Sequence, residues 1–164
     1  MPKKIEEESQ ASEKLFQQDG KCIFCKIVEK EEKSDRFVWG NADFMVFAPW
    51  ASVHPFEFWA FPKKHQCSLL DLSENEVKAF AETLRVSLGG LYSLLNDPPY
   101  NFGFHQIVAK SCDHFHWHLE VYPKLTVWAG FEKNTEMFIN VVSPEDAATS
   151  LREAMLDEER KVLA

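Results

Sequence analysis

The sequence predicts a single α+β domain, in which an antiparallel sheet packs against helices. Short apolar runs with turn residues between them occupy residues 36–61, as expected for consecutive strands. A long amphipathic segment at 73–95 indicates a helix, and further β-like segments and a C-terminal helical segment follow it. The 164 residues are enough for one domain with its own apolar core.

The N-terminal half of the chain contains most of the predicted strands. Residues 1–20 are polar and indicate a short helix ending near Gly20, or a loose arm, so the domain proper is placed at 21–164. After Gly20 the pattern becomes β-like. Residues 36–39 and 44–47 flank a Gly-Asn turn and predict a β-hairpin. Residues 56–61 predict a third strand.

Two helix starts are clear in the sequence. Ser73 and Glu76 form a capping-box pattern, which predicts a helix from there to about Leu95. Strands are expected at 101–108, 114–122 and 138–142. Ser143 followed by Pro144 predicts the start of a last helix that runs almost to the C-terminus.

Charge and composition exclude several classes of function. The formal net charge is −8, which disfavours general nucleic-acid binding but leaves a small phosphorylated ligand open. No apolar run approaches the ~20 residues of a membrane helix, and the first residues are charged, so we expect a cytoplasmic protein with no membrane contact.

The four cysteines of a cytosolic chain favour metal or redox chemistry over a disulfide framework. Cys22 and Cys25 form a close Cys-x-x-Cys pair, which is ambiguous between a redox motif and half of a zinc site. Cys67 and Cys112 have no motif partner, and we expect both to be free thiols in or near the core.

The most informative stretch is the histidine row from His114 to Glu120. If it is a strand, His114, His116, His118 and Glu120 share one face, with the apolar residues between them on the other. Three imidazoles on one face favour a function over a structural role. Two chemistries suit the row, namely metal ligation and covalent catalysis by a neutral imidazole.

Together these segments are similar to the histidine triad (HIT) superfamily, and more specifically to its galactose-1-phosphate uridylyltransferase branch. The resemblance implies a HIT-like fold, with a strongly bent antiparallel sheet and packed helices, usually in a homodimer. The matching segments are residues 22–28, 54–59, 62–65, 99–102, 114–118, 122–126, 129–132 and 139–145.

The resemblance also implies an activity at the α-phosphate of a nucleotide or nucleotide sugar. His116 would attack the phosphorus and form a covalent nucleotidyl-histidine, which water or an acceptor phosphate then resolves by hydrolysis or transfer. His118 would hydrogen-bond the phosphate or the leaving group, and Ser111 and Lys110 would bind substrate.

The resemblance implies metal binding in two ways. Zinc-bearing members use positions that correspond here to Cys22, Cys25, His65 and His114, so a structural zinc is expected. The segments also resemble the C-terminal half of the uridylyltransferase, in which the counterparts of the following residues are metal ligands: His105, His118 and Glu120. Two alternatives therefore stay open, a metal-dependent lyase or hydrolase and a zinc-stabilised nucleotide-binding module without turnover.

Overall fold

The computed structural model describes residues 2–108 and 112–163, with side chains described as far as 161. The helices are α1 (Lys3–Asp19), α2 (Ile23–Glu31), α3 (Glu74–Leu95), α4 (Gly130–Thr135) and α5 (Pro144–Leu163). The strands are β1 (Phe37–Gly40), β2 (Phe44–Phe47), β3 (Phe58–Pro62), β4 (Tyr100–His105) and β5 (His118–Pro123), and a short 3₁₀ turn covers Leu69–Asp71.

The strands form one antiparallel sheet in the order β1-β2-β3-β5-β4. β5 therefore lies in the interior of the sheet, between β3 and β4, with Glu120 opposite both Trp59 and Gly103. An antiparallel sheet packed against helices confirms the predicted α+β class. Within the described residues, no helix is both long and apolar enough to cross a membrane.

The sheet has two covered faces because strand side chains alternate in direction. On one face, α3 and α5 cover a core that includes Phe44, Phe58 and Leu119. On the other face, α2 contributes Phe24 and Val28 to a smaller cluster with Met45, Phe47, Phe61, Cys112 and Phe115. α1 lies on this second face, where its Lys4 reaches Glu120 of β5.

Both strong helix starts are confirmed. At α3, Ser73 accepts from the backbone of Glu76, and Glu76 accepts in return from the backbone of Ser73. α5 begins at Pro144. α3 and α5 approach closely at Gly90, where an added Cβ would lie 2.7 Å from Met155 Cγ and 3.0 Å from the Met155 backbone nitrogen.

Three sequence predictions were wrong in extent or type. Residues 23–31 form a helix, although the segment after Gly20 reads as β-like. Residues 138–142 form no strand; Asn140 instead donates to the carbonyls of Ser52 and His54. β5 begins at His118 rather than at residue 114, so the alternation expected for the histidine row holds only from His118 onward.

Candidate functional site

Two thiols and an imidazole meet at the start of α2. Cys22 caps the helix, Cys25 lies in its first turn, and His65 comes from the loop after β3. Cys25 Sγ lies 3.1 Å from His65 Nδ1, and the three potential ligand atoms lie within 4.8 Å of one another. Sulfur and imidazole nitrogen at this spacing are the ligand types that zinc prefers.

The hydrogen bond between the two thiols of this group shifts their pKa values in opposite directions. The hydrogen bond from Cys25 lowers the pKa of Cys22 to about 6, although burial acts in the opposite direction. The same hydrogen bond, together with burial, raises the pKa of Cys25. The shared hydrogen bond thus favours ionisation of Cys22 over that of Cys25, and a zinc ion bound here would take both sulfurs as thiolates.

His116, rather than His114, stands next to this group. His116 Nδ1 lies 3.6 Å from Cys25 Sγ, and its ring centroid is 5.2 Å from that of His65. The ring of His114 turns toward α1, with Nε2 3.2 Å from Ser9 Oγ. Three of the four predicted zinc ligands are thus brought together. His114 turns away from them, and His116 approaches one of them, Cys25.

The burial of His116 bears on its predicted catalytic role. Its exposed fraction is 0 %, and its Nε2 atom is buried without a hydrogen-bond partner among the described residues. Burial, followed by the nearby charges of His65 and His118, lowers its pKa to about 3, so the ring is neutral at pH 7. A neutral imidazole can act as a nucleophile or as a metal ligand, and a nucleophilic role would require this enclosed ring to become accessible to substrate.

A second group, of imidazoles and carboxylates, lies at the junction of α1, β4 and β5. Glu8 of α1 sits 2.7 Å from His105 Nδ1 and 3.5 Å from His118 Nε2. Glu120 sits 3.3 Å from His105 Nε2 and 3.4 Å from His118 Nε2. The ligand atoms of Glu8, His105 and His118 are close enough to share one metal ion.

The charge of Glu120 is maintained within this second group. Burial opposes its ionisation, but the contacts with His118 and His105 and the charge of Lys4 outweigh burial and lower its pKa. Tyr122 also donates a hydrogen bond to this carboxylate. His118 is itself completely buried, with its ring stacked on Phe61 at 4.4 Å between centroids.

Sequence reasoning missed Glu8 because it lies in the polar N-terminal segment, 97 residues before His105. The only local signal was its place in a helix-forming stretch. Lys110 and Ser111, the predicted substrate-binding residues, lie outside the described residues.

Cys67 and Cys112 are joined by a disulfide, with their Cα atoms 6.0 Å apart. The expectation of two free thiols was therefore wrong. Two backbone hydrogen bonds, from Ile107 to Cys67 and from Trp117 to Gln66, bring the loop after β3 alongside the segment before β5. This long-range pairing has no signature in the local sequence.

A cavity of about 930 Å³ opens on the α1 face of the sheet, next to the second group. Its lining includes Glu8 and His105 of the second group, and also His54 and Lys124. Because side chains alternate in direction along a strand, one face of each lining strand is directed toward the cavity. The lining strand residues are Trp59 of β3, Asn101, Gly103 and His105 of β4, and Glu120 and Tyr122 of β5.

The fold and these histidine groups define a class of protein, the HIT-like α+β domains. A histidine triad family protein from Mycobacterium smegmatis, solved with bound zinc, superimposes with a TM-score of 0.59 over 85 % of this chain and 96 % of its own, at 19 % identity. Within that class, residues 7–157 match the family model "Galactose-1-phosphate uridyl transferase, C-terminal domain". The chain belongs to this family.

Two relatives support the same family assignment. An ADP-glucose phosphorylase from Arabidopsis thaliana is 32 % identical over 95 % of this chain and 44 % of its own length. A galactose-1-phosphate uridylyltransferase from Thermotoga maritima is 34 % identical over 96 % of this chain and 52 % of its own. The chain therefore spans about half the length of these relatives, and the matching family model describes their C-terminal domain.

Among solved structures, a uridylyltransferase superimposes with a TM-score of 0.89 over 96 % of this chain and 52 % of that chain, at 30 % identity. An ADP-glucose phosphorylase from Arabidopsis thaliana, solved with bound ADP-glucose, superimposes with a TM-score of 0.82 over 93 % of this chain and 50 % of that one, also at 30 % identity.

Proposed function

We propose that this chain binds a nucleotide or nucleotide sugar in the large cavity and serves nucleotidyl transfer or hydrolysis at the α-phosphate. Membership of the uridyl transferase family supports the chemistry, and two relatives are named for nucleotide-sugar reactions. The observation that carries the proposal is the cavity itself, whose volume of about 930 Å³ falls within the range of ligand sites of ~300–1,000 Å³.

Gly103 offers a direct test of the cavity. It lies on β4 and lines the cavity, and a Cβ added there would meet nothing within 4 Å. We expect Gly103→Phe to fold normally and to weaken binding of ADP-glucose and UDP-glucose by about tenfold or more, since the ring would occupy the ligand's space. Titration calorimetry measures the affinity, and an unchanged affinity would place the ligand elsewhere.

The predicted covalent route assigns the nucleophile to His116 and a phosphate contact to His118. Both rings are completely buried, and neither lines the large cavity. A nucleophile must come within about 3–3.5 Å of phosphorus, so this route requires the ring of His116 to become exposed. The burial therefore favours a second candidate, a metal-stabilised nucleotide-binding domain that forms no covalent intermediate of its own.

Intact-protein mass spectrometry separates the two candidates. The wild type, His116→Ala and the control His114→Ala are mixed briefly with adenosine 5′-phosphoramidate, ADP-glucose or UDP-glucose and then acid-quenched. Because His116 is enclosed, we expect ligand binding by the wild type without a mass gain. A gain of one nucleotide in the wild type and His114→Ala, lost in His116→Ala, would instead establish the covalent route.

We further propose that zinc occupies the thiol group. Cys22, Cys25 and His65 supply three ligands, and the contact between His116 and Cys25 supports His116 over the predicted His114 as the fourth. Zinc there would be structural, since four protein ligands leave no open position. The Glu8 group would hold a second metal ion through oxygen and nitrogen ligands.

The proposal also includes a homodimer and a cytoplasmic location, with no nucleic-acid or membrane partner. β4 is an edge strand of the sheet, and its Tyr100 and Phe102 are 40 % and 54 % exposed. An unpaired edge with exposed aromatic side chains supports association with a second copy.

A further inference from the structure

The large cavity shares a wall with a second cavity of about 320 Å³. The shared wall consists of His54, Lys124 and Trp128. A ligand in the large cavity can therefore extend one end toward the second cavity, and these three side chains would lie beside it there. His54 comes from the loop before β3, which has no part in either histidine group described above.

A buried carboxylate holds the ring of His54. Glu57, whose side chain is 4 % exposed, lies 3.3 Å from His54 Nδ1. The same carboxylate accepts from the backbone nitrogens of Val53 and His54 and from the indole nitrogen of Trp59. An ionised carboxylate only accepts hydrogen bonds, so Nδ1–H donates to Glu57 and Nε2 is the ring atom left for a ligand. A phosphoryl oxygen would accept from Nε2–H of the imidazolium form, in which both ring nitrogens are donors.

Aromatic contacts fix the plane of this imidazole. Its centroid lies 5.7 Å from that of Trp128 in a stacked arrangement, and 5.3 Å from that of Tyr122. Asn140 also holds the loop by donating to the backbone carbonyls of Ser52 and His54. The ring is therefore oriented in advance, which lowers the entropic cost of binding a ligand.

The second cavity is cationic in a chain with an excess of acidic residues. Its lining comprises His54, Lys124, Thr126, Val127, Trp128 and Lys133, and contains no carboxylate. Within the described part of the chain, neither Lys124 nor Lys133 forms an ion pair. Two unpaired lysines and an oriented imidazole are suited to an anion such as a phosphoryl group.

We propose that His54, Lys124 and Lys133 bind the phosphoryl group of a ligand whose remaining part occupies the large cavity. This inference rests on the proposed function and adds residues to it: the imidazole that meets phosphate is His54, outside the histidine row. The phosphoryl group belongs either to the nucleotide sugar itself or to a separate phosphate that acts as acceptor.

The experiment is calorimetric titration of the full chain with ADP-glucose, adenosine and inorganic phosphate. The variants are His54→Gln and Lys124→Met, and the matched control is Lys78→Met, which alters a lysine at a separate cavity beside α3. Because a charge-assisted hydrogen bond is lost, we expect both variants to bind ADP-glucose about tenfold or more weakly. Adenosine affinity should change by less than about twofold, and Lys78→Met should behave as the wild type.

The titrations distinguish the two possible sources of the phosphoryl group. They also distinguish failure of this inference from failure of the proposed function. A loss of inorganic phosphate binding that leaves ADP-glucose affinity unchanged would assign the site to the acceptor phosphate. If ADP-glucose, adenosine and inorganic phosphate all bind the variants as they bind the wild type, or if adenosine weakens equally, the inference is wrong. If the wild type binds no nucleotide but binds phosphate through His54, the proposed function fails and the anion site stands.

Discussion

Replacement of Cys25 by serine will remove bound metal and lower the free energy of unfolding by an amount on the order of 5 kcal/mol. Cys25 Sγ is central to the thiol group, 3.1 Å from His65 Nδ1 and 3.6 Å from His116 Nδ1. Loss of one thiolate leaves too few ligands for a closed tetrahedral site. Metal content by plasma mass spectrometry and thermal unfolding with and without a chelator measure the effect.

A matched pair of histidine variants identifies the fourth ligand. We expect His116→Gln to lose metal as Cys25→Ser does, whereas His114→Gln retains it because its ring faces Ser9. The opposite result would restore the assignment made from the resemblance. A wild-type protein that is purified without metal, and whose unfolding a chelator does not change, would contradict the zinc site altogether.

The histidine row shows which features of the site the sequence could predict and which it could not. The row was predicted to be functional because three imidazoles are costly to bury without partners. Its geometry was not recognisable, because the expected alternation requires a strand and β5 begins only at His118. The three rings therefore have three different environments: His114 faces a serine of α1, His116 the thiols, and His118 the carboxylates.

Local patterns were reliable at the starts of α3 and α5. The capping box at Ser73 and the proline start of α5 depend on contacts within one turn, and both were predicted. Glu8 and the pair of Cys67 and Cys112 depend on the packing of distant segments, which single-sequence spacing does not report. The proposed role of His54 could likewise not be predicted from the sequence, since only the fold places this residue in the lining of two cavities.

The histidine groups explain why α1 belongs to the site although its sequence is polar. Lys4, Glu8 and Ser9 each direct a side chain to β5 or to the segment just before it. These polar contacts act beside a buried side of the helix that contains Ile5, Ser9 and Ser12. Specific polar contacts thus supplement the short apolar side of α1.

Reduction of the disulfide between Cys67 and Cys112 will lower the free energy of unfolding by about 4 kcal/mol. The bond closes a loop with a sequence separation of 45, and a cross-link of that length removes much of the entropy of the unfolded chain. Denaturant unfolding of the wild type, with and without a phosphine reductant, measures the difference.

Cys112→Ser is the companion variant for this measurement. It should have the stability of the reduced wild type, respond no further to reductant, and keep its metal, since Cys112 is not among the grouped ligands. A wild type that is insensitive to reductant, or that titrates with two more free thiols than Cys22 and Cys25 supply, would show that the bond is absent in solution. Metal retained in the reduced protein would separate this effect from damage to the thiol group, because neither Cys67 nor Cys112 is one of the grouped ligands.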